Sequence, residues 1–462
     1  MGNLSAFPST KTLARTRQAD SNRPKLHAPY RHRAERRTEN AHQFLAVLRE
    51  KRKFALSTPF CVDSNLSIPD ENHSHRHFFG WLRDTIVAQQ PDALIVSGDI
   101  FDGPNPSAEV QRLFYDFLTH LSVEHPGMSI VLIAGNHDSG ARLEAGEELL
   151  RMHNIYVRGT VWKDAEGEPY FERMILPLAP RGSNTAEVVC FALPFLRPSD
   201  YPTGLSVQEG IRHYLTNLDK RLKKTEFKRL PVMVAAHFYA HGALIQEQEH
   251  SERLVVGGQD MVEVGAMGKN YAYVALGHIH RAQAVGDCAN VRYAGSPLAL
   301  SFSERDYKRS VQLVEIDEKG RVQATALPYS PLCRLLSLPE RGSLDPEEAL
   351  QRLRALPEAK ADDDRNAYPY LEISIRLSQP EPELRRRIGE IIEQKAVKFC
   401  RITTATQREL REGNATQPTV ENSLHKLAPI DIAKQYYSAR YGNDMPDALV
   451  ERFNIAVNSI DK

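Results

Sequence analysis

The sequence predicts an α/β fold whose strands deliver polar side chains to one edge of a sheet. Four short aliphatic runs have the length and β-branched content of strands buried on both faces: Ala93-Leu94-Ile95-Val96, Ile130-Val131-Leu132-Ile133-Ala134, Val232-Met233-Val234-Ala235-Ala236 and Tyr273-Val274-Ala275-Leu276. Each run closes within three residues on Asp, Asn or His. Segments with apolar residues at helical spacing fall between the strands, as in alternating βα units. In open α/β sheets the carboxyl edge of the strands is where ligands bind.

Bulk properties narrow the possibilities. At 462 residues the chain is long enough for two or three domains. Lys plus Arg equals Asp plus Glu at 59 each, so no global field draws the chain onto nucleic acid. Binding DNA would then need local basic clusters, a dimer or a partner that supplies charge. The five cysteines (Cys61, Cys190, Cys288, Cys333, Cys400) are scattered with no CxxC pair, which argues against a disulfide framework or zinc ribbon and fits a reducing cytoplasm. No run of eighteen apolar residues occurs.

Taken in order, residues 1–53 read as a basic leader outside the fold. Nine Lys or Arg precede residue 41 against Asp20, Glu35 and Glu39, a composition shared by transit peptides, nucleic-acid arms and functionless extensions. The first strand is expected over Phe60-Cys61-Val62-Asp63-Ser64-Asn65-Leu66, with Pro59 intruding at its start. His73-Ser74-His75-Arg76-His77 is expected as a solvated loop or helix start. Phe78, Leu82, Thr85 and Ile86 mark one helix, and Val110, Leu113, Phe114, Phe117, Leu118 and Leu121 mark the next, with an apolar face wider than one sheet contact needs.

Residues 151–230 hold a short strand region, a Pro-rich turn set near Pro194-Phe195-Leu196-Arg197-Pro198, and a helix ending Lys220-Arg221-Leu222-Lys223-Lys224, expected as a solvated face. After Pro328 the composition changes. Asp345-Pro346-Glu347-Glu348 opens a helix, with Pro and acids in its first turn. Leu371-Glu372-Ile373-Ser374-Ile375-Arg376-Leu377 alternates, which predicts a strand with one wet face. A helix carrying Leu384, Ile388, Ile391 and Ile392 follows, then the strand Val397-Lys398-Phe399-Cys400-Arg401-Ile402. This α-β-α-β order predicts a small separate domain. A polar linker over residues 412–418 leads to helices starting at Pro429 and Pro446, the latter with Leu449, Phe453, Ala456 and Val457 on one face. Helices that short must lay that face on this chain or on a partner. The expected division is a leader at 1–53, a main domain at 54–328, a small domain at 329–411, and a linker with partner-binding helices at 412–462.

The strand ends carry the chemistry. Ser97-Gly98-Asp99-Ile100-Phe101-Asp102, Gly135-Asn136-His137-Asp138, His237 and Gly277-His278-Ile279-His280 present carboxylate, amide and imidazole groups in sequence. That mixture suits Mn, Fe, Zn or a similar first-row ion. Two ions ~3.5–4 Å apart, bridged by one carboxylate, would clamp a phosphate and activate a water between them. A single GD or GH dipeptide is weak evidence, since turn residues commonly follow strands. Four such signals in this order are specific.

This set resembles the calcineurin-like metallophosphoesterases. Within them, Gly295-Ser296-Pro297-Leu298-Ala299-Leu300-Ser301-Phe302 and the C-terminal third resemble DNA nuclease subunits that work with a coiled-coil ATPase. The resemblance covers roughly residues 75–460. It implies a β-sandwich flanked by helices, a small α+β capping domain that narrows DNA access, and C-terminal helices that dock on the ATPase. It also implies two divalent ions, Mn²⁺ foremost, with Asp99, Asn136, His237 and His278 on one and Asp99 and His280 on the other. The opening Asp-x-His motif of the family has only a degenerate counterpart, in which Asp63 is the candidate ligand and Asn65 stands where the family has His. His137 is expected to face the scissile phosphate as a catalytic group, with Asp138 orienting it and Asp102 fixing the loop.

The implied activity is Mn-dependent 3′→5′ double-strand exonuclease and hairpin endonuclease action in DNA repair, recombination and replication. The implied assembly is a homodimer within a heterotetramer. Two other readings stay open. One is a small-substrate phosphatase, which would have little use for the C-terminal modules, and the other is a subunit whose first metal site is lost.

Overall fold

The computed structural model describes residues 51–57, 72–244, 261–317, 319–377, 381–405 and scattered positions between 430 and 453. The first sheet opens with β1 (Lys51–Ser57), β2 (Ala93–Ser97), β3 (Ser129–Ile133) and β4 (Ile155–Arg158), all parallel. Helices α1 (Asn72–Gln89) and α2 (Ala108–Glu124) make the crossovers on either side of β2. The second sheet takes β5 (Ile175–Leu178), β6 (Val188–Ala192), β7 (Val232–His237), β8 (Tyr273–Gly277), β9 (Gln283–Val285) and β10 (Cys288–Tyr293), with α3 (Val207–Leu222) joining β6 to β7. The chain then returns to the first sheet through β11 (Ser310–Asp317) and β12 (Val322–Pro328). The orders are β12-β11-β1-β2-β3-β4 and β5-β6-β7-β8-β10-β9.

Period-two alternation along the strands builds four layers. On β2 and β3, Ala93, Ile95, Val131 and Ile133 face Met233, Ala235, Tyr273 and Ala275 of the second sheet, forming the core between the sheets. Their neighbours Leu94, Val96, Ile130 and Leu132 pack under α1 and α2 instead. On the far side, Val234, Ala236, Val274 and Leu276 pack against Ile211, Tyr214, Leu215 and Leu218 of α3. The fold is therefore the expected helix-flanked β-sandwich. Both sheets aim the carboxyl ends of β2, β3, β7 and β8 at one rim.

The apolar face of α2 is consumed inside the chain. Val110, Leu113, Phe114, Phe117, Leu118 and Leu121 are all buried, with Phe117 stacked on Phe79 at 4.3 Å between ring centroids. Its width comes from contacting both a sheet and α1, so it is no argument for a second copy of the chain.

The opening strand corrects the sequence reading. It lies at Lys51–Ser57, and the strand expected over residues 60–66 falls outside the described residues. Three residues assigned to the leader, Lys51 to Lys53, belong to it. The backbone register sets Lys51 across from Asp317 and Lys53 across from Glu315. Asp63 and Asn65 lie outside the described residues. His73 to His77 open α1, and His75 is buried.

A third, parallel sheet follows: β13 (Leu335–Leu338), β14 (Tyr370–Arg376) and β15 (Lys398–Ala405), with β14 central. Helices α4 (Pro346–Arg354) and α5 (Leu384–Ile392) share its core through Leu350, Leu353, Leu384 and Ile388. The sequence reading missed β13 and gave β14 a wet face. As a central strand it has none at Glu372, which is buried against Arg401 and Ser337. Among the described residues no helix is long and apolar enough to cross a membrane. The expected C-terminal helices fall largely outside the described residues, apart from a helical start where the Val450 N–H bonds Pro446 O.

Candidate metal centre

Four of the six expected ligands meet at the rim. Asp99 follows β2, Asn136 follows β3, His237 ends β7 and His278 follows β8. Ligand atoms of Asp99, His237 and His278 all lie within 4.8 Å of one another. His237 Nε2 is 3.2 Å from Asp99 Oδ2 and 2.8 Å from Asn136 Oδ1. His278 Nδ1 is 3.0 Å from the same amide oxygen.

The backbone has to bend sharply to bring them in. Asp99 (φ 46°) and His278 (φ 103°) both occupy positive φ, a cost of order 1–3 kcal/mol each that clusters at functional sites. Gly98, at φ 89°, sits where any Cβ would overlap the His237 ring. A Cβ on Gly135 would overlap the Asp99 carboxylate. Gly98 is required by space and by conformation, Gly135 by space.

The donor set fits a cation. His237 Nδ1 donates to Ser97 O at 2.9 Å, which leaves Nε2 as the nitrogen facing the cluster. Nε2, a carboxylate and an amide oxygen converge there, a donor set that suits a first-row cation once Nε2 gives up its proton. Burial alone would raise the pKa of Asp99, but the charge and hydrogen bond of His237, with His137, hold it well below the usual carboxylate range. Burial, with help from His237, pushes His278 down to about 3, so it presents a neutral imidazole. Burial also disfavours the charged form of His237, yet Asp99 and Ser97 outweigh it and raise its pKa.

His280 stands apart from this cluster. Its Nδ1 donates to Glu304 Oε1 at 2.8 Å in a buried pair. Asp63 lies outside the described residues.

His137 lines the open side, with its side chain 36% exposed. Its backbone N–H donates to Asp99 Oδ1 (3.0 Å) and its Nδ1 to the carbonyl of Asp102 (2.9 Å), with the Asp102 carboxylate 3.7 Å away. Asp138 does not orient it. That carboxylate is 2% exposed and accepts from the backbone N–H groups of Ile100 (3.0 Å), Phe101 (2.9 Å) and Gly135 (2.9 Å). It ties the two metal loops together, because buried amides at sharp turns need an acceptor that no strand supplies. Burial and the charge of Asp99 raise its pKa to about 6 against the pull of those amides. The described contacts of Asp138 therefore go to backbone amides, and those of His137 Nδ1 go to Asp102.

Sequence reasoning also missed Glu304, which has no motif of its own. The one available hint was an acid placed two residues after Phe302 of the Gly295-to-Phe302 segment.

Comparison with known proteins gives the same assignment. Residues 71–282 match the family model of the calcineurin-like phosphoesterases. Residues 333–441 match SbcD_C, described as the type 5 capsule protein repressor C-terminal domain. The chain is 34% identical over 350 residues to the SbcD subunit of nuclease SbcCD from Rhodobacter capsulatus, covering 74% of this chain and 84% of that protein. It is 28% identical to the SbcD subunit from Escherichia coli K12, covering 73% and 81% respectively. The SbcD subunit of Bacillus subtilis is 35% identical over 52% of this chain and 60% of its own length. With strand ends that converge as a metal site and relatives matched along most of their length, the chain belongs to the SbcD family of SbcCD nuclease subunits, phosphodiester hydrolases of the calcineurin-like fold that take divalent metal ions.

Proposed function

We propose that this chain is a Mn²⁺-dependent DNA nuclease, a 3′→5′ double-strand exonuclease and hairpin endonuclease, acting as a homodimer with an SbcC-type ATPase in DNA repair, recombination and replication. The convergence of Asp99, Asn136, His237 and His278 carries the reading. Those four would hold one ion, and Asp99, His280 and Asp63 the other. When bound, the ions neutralise charge building on the scissile phosphate and lower the pKa of an attacking water.

The remaining work falls to the chain. His137 sits beside Asp99 on the open side, and its Nδ1 is held by Asp102 O, so Nε2 is the nitrogen able to pass a proton to the leaving oxygen. Asp138 keeps the Asp99 and Asn136 loops in register. The expected division into domains is kept as a proposal at 328 and 411, with the first boundary moved from 53 to 50, since β1 starts at Lys51. In it the β13–β14–β15 sheet is the cap, a module that supports a polymeric over a small substrate. The described cysteines Cys190, Cys288 and Cys333 are free thiols, which supports a cytoplasmic setting.

The test is cleavage of an end-labelled DNA hairpin with and without Mn²⁺. Asp99→Asn and His278→Ala are each expected to reduce cleavage by at least about a hundredfold while the protein stays folded, in line with removal of groups that stabilise the transition state. Undiminished cleavage in both variants would remove this site from the reaction.

A further inference from the structure

The segment from Gly295 to Phe302 resembles a family signature, yet none of its side chains joins the metal cluster. It folds behind His280. The Ser296 N–H donates to His280 O at 2.9 Å, and a 3-10 turn at Phe302–Glu304, capped by the Ser301 hydroxyl, turns Glu304 inward.

The Glu304 side chain is 0% exposed. Its Oε1 accepts from His280 Nδ1 at 2.8 Å, while Oε2 accepts from Arg309 Nη2 at 3.1 Å and from the Leu300 N–H at 3.3 Å. Arg309 is bound in turn to the carbonyls of Ser296 (3.1 Å), Leu298 (3.2 Å) and Glu304 (2.8 Å). A buried ion pair of this kind adds little to stability over an apolar pair of the same volume. An apolar pair would have no acceptor for the imidazole. A carboxylate only accepts, so the proton of His280 sits on Nδ1 and the lone pair on Nε2 is the one a cation can use.

We propose that Glu304 is a positioning residue of the metal centre. It holds His280 as the Nδ1–H tautomer, with Nε2 offered to a divalent ion, and residues 295–302 together with Arg309 hold that carboxylate in place. The proposal rests on His280 being a metal ligand.

The experiment is calorimetric titration of Mn²⁺ into the metal-stripped full chain, comparing wild type with His280→Ala, Glu304→Gln and Glu304→Gln combined with Arg309→Met. The double variant removes the guanidinium that Glu304→Gln leaves without a counter-ion. His280→Ala is expected to lose one equivalent of Mn²⁺. Both Glu304 variants are expected to bind that equivalent about 10- to 100-fold more weakly. In whichever Glu304 variant keeps the wild-type metal-free melting temperature the affinity is still expected to fall, which a purely structural role would not produce. Wild-type affinity in a Glu304 variant, with His280→Ala impaired, overturns the proposal. Full stoichiometry in His280→Ala overturns instead the reading of His280 as a ligand. Long-range ¹H–¹⁵N correlation spectra of histidine-labelled, metal-free wild type give a second readout, and an Nε2–H tautomer at His280 would also overturn the proposal.

Discussion

His137 and Asp138 are adjacent in sequence, yet their side chains serve different loops. His137 points to the open side and is held by Asp102, while Asp138 turns inward to three backbone amides. Asp138→Ala leaves those amides without their acceptor, and a urea melt is expected to show a loss of about 3 kcal/mol or more, at about 1–3 kcal/mol per buried unsatisfied group. Gly98→Ala is expected to displace the His237 ring, lowering Mn²⁺ occupancy measured by elemental analysis more than it lowers the melting temperature. Cys190 lies inside the sandwich, and burial pushes its thiol up to about 12. A raised pKa means almost no thiolate near neutral pH, so a disulfide reagent should leave Cys190 unlabelled until the protein unfolds. The ligand types were legible in the sequence because each follows an apolar run. The part played by Asp138 was not, since a carboxylate beside a histidine reads as its partner until the backbone path is known.

Among the elements, strands with aliphatic runs and helices with a clear apolar face appear where their periodicity places them. Two strands did not follow their pattern. β1 begins in a run of basic residues that reads as a leader in isolation, yet its backbone pairs with both β11 and β2. β14 alternates like an exposed strand, but β13 and β15 flank it, and Arg401 with Ser337 engages Glu372. Local cues governed α3, whose Ser206 and Glu209 form a capping box. Phe114 in α2 touches Phe101 and the core under the first sheet, and Phe114→Ala should cost about 3–5 kcal/mol by denaturant titration.

At the scale of the whole molecule, the two sheets meet so that four strand ends face one another across the rim. Binding of an ion there stabilises the folded state by mass action, about 2.7 kcal/mol at a hundredfold excess over Kd. Chelation is therefore expected to lower the melting temperature and Mn²⁺ to restore it, with Asp99→Asn showing little response to either. A homodimer has to use surface other than the buried face of α2, and light scattering at micromolar concentration should return twice the mass of the chain if it forms.

By itself the sequence determined which residues end the buried strands and in what order, because strand length, apolar content and the glycine that breaks each run are local properties. Only the tertiary structure decided that Glu304 meets His280, that Asp138 ties two loops and that β1 starts in a basic run. Each depends on a partner from a distant segment, and hydrogen bonds and strand pairing over such separations exist only once the two sheets have closed on each other.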